Sequence, residues 1–309
     1  MPYNQLAPVV LFVYNRPEHT KKCLESLANN KLAMHSTLYI FCDGAKENAL
    51  EHDLKNIIEV EQVVRERQWC KEVIIQKQDK NIGLRNSVIN GVSEVINNHN
   101  KVIVIEDDLV LSHHFLAYMN SALVKFEGDE TVSQISGFSF NLNVAKLKDD
   151  AYFLPLTTTW GWATWKRIWN NVDFEGKDYE KILSNKAAIR KFNLDNSYDY
   201  YSMLLKQLER NKKISSWGIM FWLHSFKNDY KILFPKYTLV TNTGFDGTGT
   251  HKGKTKIDLV FSFENEVTKY SQNSTIDEVL FLQLKNKLRK QEYSFKNKLI
   301  RLYNKIAGK

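Results

Sequence analysis

Cysteine is scarce in this chain. There are three among 309 residues, Cys23, Cys42 and Cys70, an odd number at wide spacing. They form neither a zinc pattern nor a disulfide framework, and a reducing cytosol is the expected setting. Long apolar runs are lacking too. The longest, such as 8–14 and 102–105, are far too short to cross a bilayer. The N-terminal MPYNQLAPVVLFVYN has no basic n-region and no cleavage site, so no signal peptide is expected. Most of the chain also lacks net charge. Of 43 basic and 35 acidic residues, nine basic and one acidic fall within 285–309, which leaves 34 of each before it. The formal charge of +8 therefore belongs to the tail. A neutral body argues against nucleic-acid binding, which wants basic residues on the folded surface.

What is present is a core. Hydrophobic residues make up 43% and aromatics 12%, which suits a packed globular protein rather than disorder. Strands are expected over 8–14, 36–42 and 71–77. Helices are expected from about Pro17 to Asn29, over 47–67 and over 84–98, the last carrying Leu84, Val88, Val92, Val95 and Ile96 at near-helical spacing. Strands alternating with helices at this rhythm predict a parallel sheet with right-handed crossovers. Further strands are expected at 132–136 and 152–156.

Residues 101–115 read KVIVIEDDLVLSHHF. Val102 to Ile105 form an uninterrupted β-branched run, the mark of a buried parallel strand. Glu106, Asp107 and Asp108 follow where that strand ends. Three adjacent carboxylates repel one another, so a fold that gathers them usually supplies a cation. Oxygen donors suit a hard ion such as Mn²⁺ or Mg²⁺. The carboxyl edge of a parallel sheet is also where open α/β folds bind ligands. The plainer alternative is a solvated acidic turn. Four tryptophans lie within 160–169; Trp162, Trp165 and Trp169 are spaced as on one helical face, for packing or for a sugar platform. Trp160, beside Gly161, is the one expected to face a ligand.

The succession VVLFVYNRPEH, YIFCDG, NIGLRNSVINGV and VIVIEDDLVLSHHFL resembles the GT-A glycosyltransferases. It is closest to bacterial family 2-type sugar transferases and to N-acetylglucosaminyltransferase I. The later pieces WGWATWKRIW, ISSWGIMFW and LFPKYTLVTNTGFDGTGTH also look like the bacterial group, so the resemblance spans about 6–252. It implies an α/β GT-A fold with a mostly parallel central sheet flanked by helices. A transferase domain would occupy 1–256, its nucleotide-sugar half 1–110 and its acceptor half 111–256. A basic helical tail would occupy 257–309.

The same resemblance implies roles. Asn15 and Arg16 would touch the nucleotide, Arg16 at a phosphate or beside the base. Asp43 would accept from the base edge, typically uracil; an Asp-Gly turn is its alternative. Arg85 would approach the nucleotide or the donor sugar. Asp108 would bind Mn²⁺ or Mg²⁺ directly, and Glu106 and Asp107 would hold ribose and sugar hydroxyls. The glycine-rich 244–251 reads as a lid over the nucleotide. His251 there is either a second metal or diphosphate contact or simply solvated. Trp160 and Trp217 are the candidate platforms for acceptor or sugar.

An inverting transferase also needs a carboxylate base. Related sequences often carry an acid beside the tryptophan of ISSWGIMFW, but here Ser216 and Gly218 flank Trp217. Asp246 is the preferred base and Asp199 the second. In the tail, Leu280, Leu284 and Leu288, then Leu299, Leu302, Tyr303 and Ile306, recur on one face among basic residues. Such a helix either lies on an anionic membrane or packs on the body. The expected partners are a nucleoside diphosphate sugar, a glycan or lipid-linked oligosaccharide acceptor and the inner membrane face, in bacterial surface polysaccharide assembly. Two rivals remain open: a nucleotidyltransferase acting on sugar phosphates and a non-catalytic carbohydrate-binding module. NRPEH is not the glycine-rich loop of the first, and sugar binding alone needs no acid triplet.

Overall fold

The computed structural model describes residues 6–209, 216–246 and 259–292. Strand and helix alternate through the first half: β1 (Val9–Val13), α1 (Pro17–Ala28), β2 (Thr37–Cys42), α2 (Glu51–Arg65), β3 (Glu72–Lys77), α3 (Gly83–His99) and β4 (Lys101–Glu106). Every element expected there is found, with ends shifted by at most four residues. All five residues of β1 are buried, which is why its run is apolar throughout. Pro17 opens α1, where its missing N–H leaves no helical bond unmade. On α3, Val88, Val92, Val95 and Ile96 face the sheet side of the core.

The second half adds β5 (Leu109–Leu111), α4 (Phe115–Lys125), β6 (Val132–Ser136), β7 (Ala151–Leu154) and β8 (Trp162–Trp165). Short helices α5 (Lys166–Trp169), α6 (Tyr179–Ile182) and α7 (Lys186–Phe192) precede α8 (Tyr200–Glu209) and α9 (Trp217–Lys227). Then come β9 (Lys231–Pro235), β10 (Val240–Asn242) and α10 (Glu278–Glu292). Eight strands form one sheet in the order β3-β2-β1-β4-β8-β6-β9-β7. The β3-β2-β1-β4 half is parallel; β8 and β7 run against their neighbours. From β1 the chain goes to β2 and β3 on one side, then crosses to β4 on the other. The gap between the ends of β1 and β4 is therefore the topological switch point of the sheet.

The tryptophan stripe is not one helical face. Trp162 and Trp165 sit in β8, where residues three apart point to opposite faces, and only Trp169 is helical. Packing brings two of them together again: Trp162 stacks on Trp169 at 5.5 Å and on Trp217 at 5.0 Å. Trp217 is only 4% exposed, so it is core and not a sugar platform. The three cysteines are buried free thiols. Burial pushes Cys42 up to about 11 and Cys70 up to about 12, which leaves both unreactive near neutrality.

Of the two settings expected for the tail, its described part takes the second and packs on the body. Residues 259–277 run back along the body: Val267 joins the main core, Tyr270 stacks on Tyr118, and Ile276 bridges to Phe153. Leu280, Leu284 and Leu288 of α10 are buried in the second apolar cluster with Leu154, Phe192 and Trp222. Protein, not lipid, covers that stripe. Residues 293–309, with the second leucine cluster, lie outside the described residues. Among the described residues no helix is long and apolar enough to cross a membrane. Truncating Leu284 to Ala should cost about 2–5 kcal/mol, read as a lowered urea midpoint. An unchanged midpoint would mean that α10 does not depend on this packing.

Candidate active site

Backbone pairing assembles the site. Phe12 pairs with Glu106 across β1 and β4, so Asn15-Arg16 and Glu106-Asp107-Asp108 leave the same sheet edge side by side. Asp108 then turns the chain into β5, which pairs antiparallel with β10. That pairing carries Thr243 back onto the triplet: its N–H and its hydroxyl donate to the Asp108 carbonyl at 2.8 and 3.0 Å. The 244–246 turn is thereby anchored over the acids. A Cβ on Gly244 would run into the Asp108 carboxylate and the Arg16 guanidinium, so a larger residue there would push on both.

Side chains complete it. Arg16 Nη1 donates to Asp108 at 3.1 Å, and Nη2 and Nε reach the two oxygens of Asp107. Asp107 is almost fully buried. Arg16 bonds both its oxygens, so Asp107 holds the arginine in place. The Asn242 amide donates to the other oxygen of Asp108 at 3.2 Å, and His19 lies 3.3 Å from the Thr243 carbonyl. Neither Asn242 nor His19 was expected. His19 follows Arg16 by three residues in NRPEH, a spacing that puts both on one side of the first turn of α1.

The site has too little positive charge. Burial, then the charges of Asp108 and Asp107, push Glu106 up to about 8. Burial pushes Asp107 up to about 6 even though Arg16 opposes it. Both acids are raised above their unfolded values of 4.5 and 3.8. The stability they contribute is therefore present at low pH and lost as pH rises through about 6 and then 8. In EDTA the melting temperature should fall from pH 5.5 to 8.5, and Mg²⁺ should narrow that gap. A flat profile would contradict this charge imbalance.

Asp108 and its oxygen-rich surroundings suit a hard divalent cation. Among the described residues no three His, Cys, Asp or Glu side chains converge on a single point. A shell that the protein only begins, and phosphate oxygens finish, is how Mg²⁺ is usually held. His251 lies outside the described residues, as does the side chain of Asp246, whose backbone ends the turn over Asp108.

Other expected residues have different work. The Asp43 carboxylate accepts from Gly44 N, Ile82 N, Gly83 N and Asn81 Nδ2 at 2.9–3.0 Å. Four donors fill the four lone-pair sites of a carboxylate. Asp43 therefore clamps the start of α3 and has none left for a base edge. Gly44 belongs to the same clamp, since a Cβ there would strike the backbone of 78–80. Asn15 donates to Asp53 at the start of α2, 2.8 Å away. Arg85 turns to the Phe174 carbonyl at 2.7 Å and to Glu175 at 3.0 Å. Asp199 is exposed and accepts from Ser202 N at 3.1 Å, capping α8. Ser216, where an acid was sought, accepts from Ile219 N as the cap of α9. Trp160 stays partly exposed, edge-on to Phe138 at 5.1 Å and to Phe245 at 5.6 Å. Through Phe245 it adjoins the turn over Asp108.

No protein-family model matches this chain, and no curated protein matches it. Among solved structures it is similar to the mannosyltransferase PcManGT from Pyrobaculum calidifontis in complex with GDP-Man and Mn²⁺, at 10% identity and TM-score 0.41, over 72% of this chain and 69% of that one. It is also similar to residues 1–349 of S. aureus TarS, at 11% identity and TM-score 0.41, over 67% of each chain. Likenesses at that level decide nothing about activity.

Proposed function

We propose that this chain is a GT-A-type glycosyltransferase that takes a sugar from a nucleoside diphosphate donor with the help of Mn²⁺ or Mg²⁺. The observation that carries the reading is the carboxylate triplet at the switch point, set beside the arginine that follows β1. A diphosphate suits this site only together with a divalent cation, because three carboxylates face a single arginine. A divalent cation at Asp108 would neutralise the leaving diphosphate. Arg16 is the residue able to reach that diphosphate, its planar fork matching phosphate oxygens. Trp160 and Phe245 offer an aromatic wall for a sugar face.

In the inverting form of the reaction, an acceptor hydroxyl attacks the anomeric carbon. Its proton passes to a carboxylate, and the bond from that carbon to the diphosphate oxygen breaks. Asp246 is the residue proposed as that base. The acceptor would be a glycan or a lipid-linked oligosaccharide of bacterial surface polysaccharide assembly, and a uridine diphosphate sugar is the donor to try first. The test is a melting-temperature panel with Mn²⁺ against UDP-, GDP-, dTDP- and CMP-sugars. One diphosphate donor should raise the melting temperature, and the monophosphate CMP-sugar should not. No shift with any of them would overturn the proposal.

A further inference from the structure

Both oxygens of Asp108 are already engaged. One faces Arg16 Nη1 and the other the Asn242 amide, at 3.1 and 3.2 Å. The Asn242 side chain is fixed in that sense, because its own oxygen accepts from Gly244 N at 2.7 Å. Gly244 also closes against Asp108 and Arg16. A cation at Asp108 therefore competes with a donor already present on each oxygen. The contact to Arg16 comes from the end of a long side chain, 20% exposed and held on its other side by Asp107, whereas Asn242 is tied into the β5–β10 pair.

We propose that Arg16 is a built-in counter-cation for the triplet, occupying the cation's place at Asp108 until a cation and a diphosphate arrive together. It rests on the function proposed above and adds that the two ligands bind cooperatively. Released from Asp108, the guanidinium gains the diphosphate as its new anion, while Asp107 keeps hold of its Nε side. The cation alone must evict Arg16 with nothing to receive it, so it binds weakly. Nucleoside diphosphate and cation each remove part of the other's cost, and they therefore bind cooperatively. If the Arg16-open state is populated at a tenth or less, the cation alone is weakened by roughly tenfold or more.

Counting free Mn²⁺ by electron paramagnetic resonance tests this without any turnover, with UDP and then GDP as the diphosphate probe. Wild-type chain should bind Mn²⁺ poorly alone and at least tenfold tighter with the diphosphate. Arg16→Gln should bind Mn²⁺ alone about tenfold tighter than wild type and lose most of the diphosphate effect. Because that change strips buried Asp107 of its cation, the Arg16→Gln/Asp107→Asn double variant is measured alongside, with the same expectation. If wild type binds Mn²⁺ with diphosphate but neither variant gains affinity for Mn²⁺ alone, the counter-cation role is wrong and the proposed function stands. If wild type binds neither Mn²⁺ nor its diphosphate complex at millimolar concentrations, both fall.

Discussion

Asp108→Asn is expected to slow sugar transfer by roughly a hundredfold to a thousandfold, the scale of losing one preorganised electrostatic group. The fold should survive. The backbone carbonyl of Asp108 holds Thr243 whatever the side chain. Asparagine keeps the shape and one oxygen, so the Asn242 contact and the turn over it can persist. What it removes is a negative charge at an acid that Arg16 touches through one oxygen only and that stays more exposed than Asp107. The measurement pairs the initial rate at saturating donor with a melting curve. A variant that melts like wild type and keeps more than a tenth of the rate would refute the role of Asp108.

Asp43→Asn is expected to fail in the opposite way. The carboxylate accepts four hydrogen bonds, three of them from backbone N–H groups of Gly44, Ile82 and Gly83. An amide puts an NH₂ group against donors on one side, which leaves them buried and unpaired. The cost should be about 2–5 kcal/mol of stability. Denaturant unfolding measures it. A base-edge role for Asp43 predicts the reverse, intact stability with weakened nucleotide binding, and that pattern would restore the reading drawn from the sequence.

The two halves of the fold differed in how much the sequence revealed. The first half was legible because each of its strands is a short run rich in β-branched or aromatic residues and each helix has a start signal or apolar period; local chemistry and tertiary role agree there. The placement of the acid triplet and Arg16 side by side was legible for the same reason, since they end or follow adjacent strands of that half. At Asp43 the sequence and the structure point different ways because three of its four donors come from 81–83, about 40 residues away, and nothing local distinguishes a clamp from a ligand contact. Trp162, Trp165 and Trp169 imitated a helical period because a strand runs directly into a helical turn. The leucines of α10 carry a period that records only that one face is covered, not whether protein or lipid covers it. The part played by Asn242 had no local signal at all. It comes from the β5–β10 pairing, which brings together residues more than 130 positions apart.

The central claim is that the carboxyl edge between β1 and β4 receives a divalent cation together with a nucleoside diphosphate. Crystals grown with Mn²⁺ and the nucleotide selected by the melting panel, measured at an X-ray energy where manganese scatters anomalously, test it most directly. The account predicts one strong anomalous peak within coordination distance of the Asp108 carboxylate, bridged to phosphate oxygens, with the Arg16 guanidinium moved from Asp108 onto the diphosphate. Bound nucleotide with no manganese at Asp108, or manganese there with Arg16 still paired to it, would contradict the account.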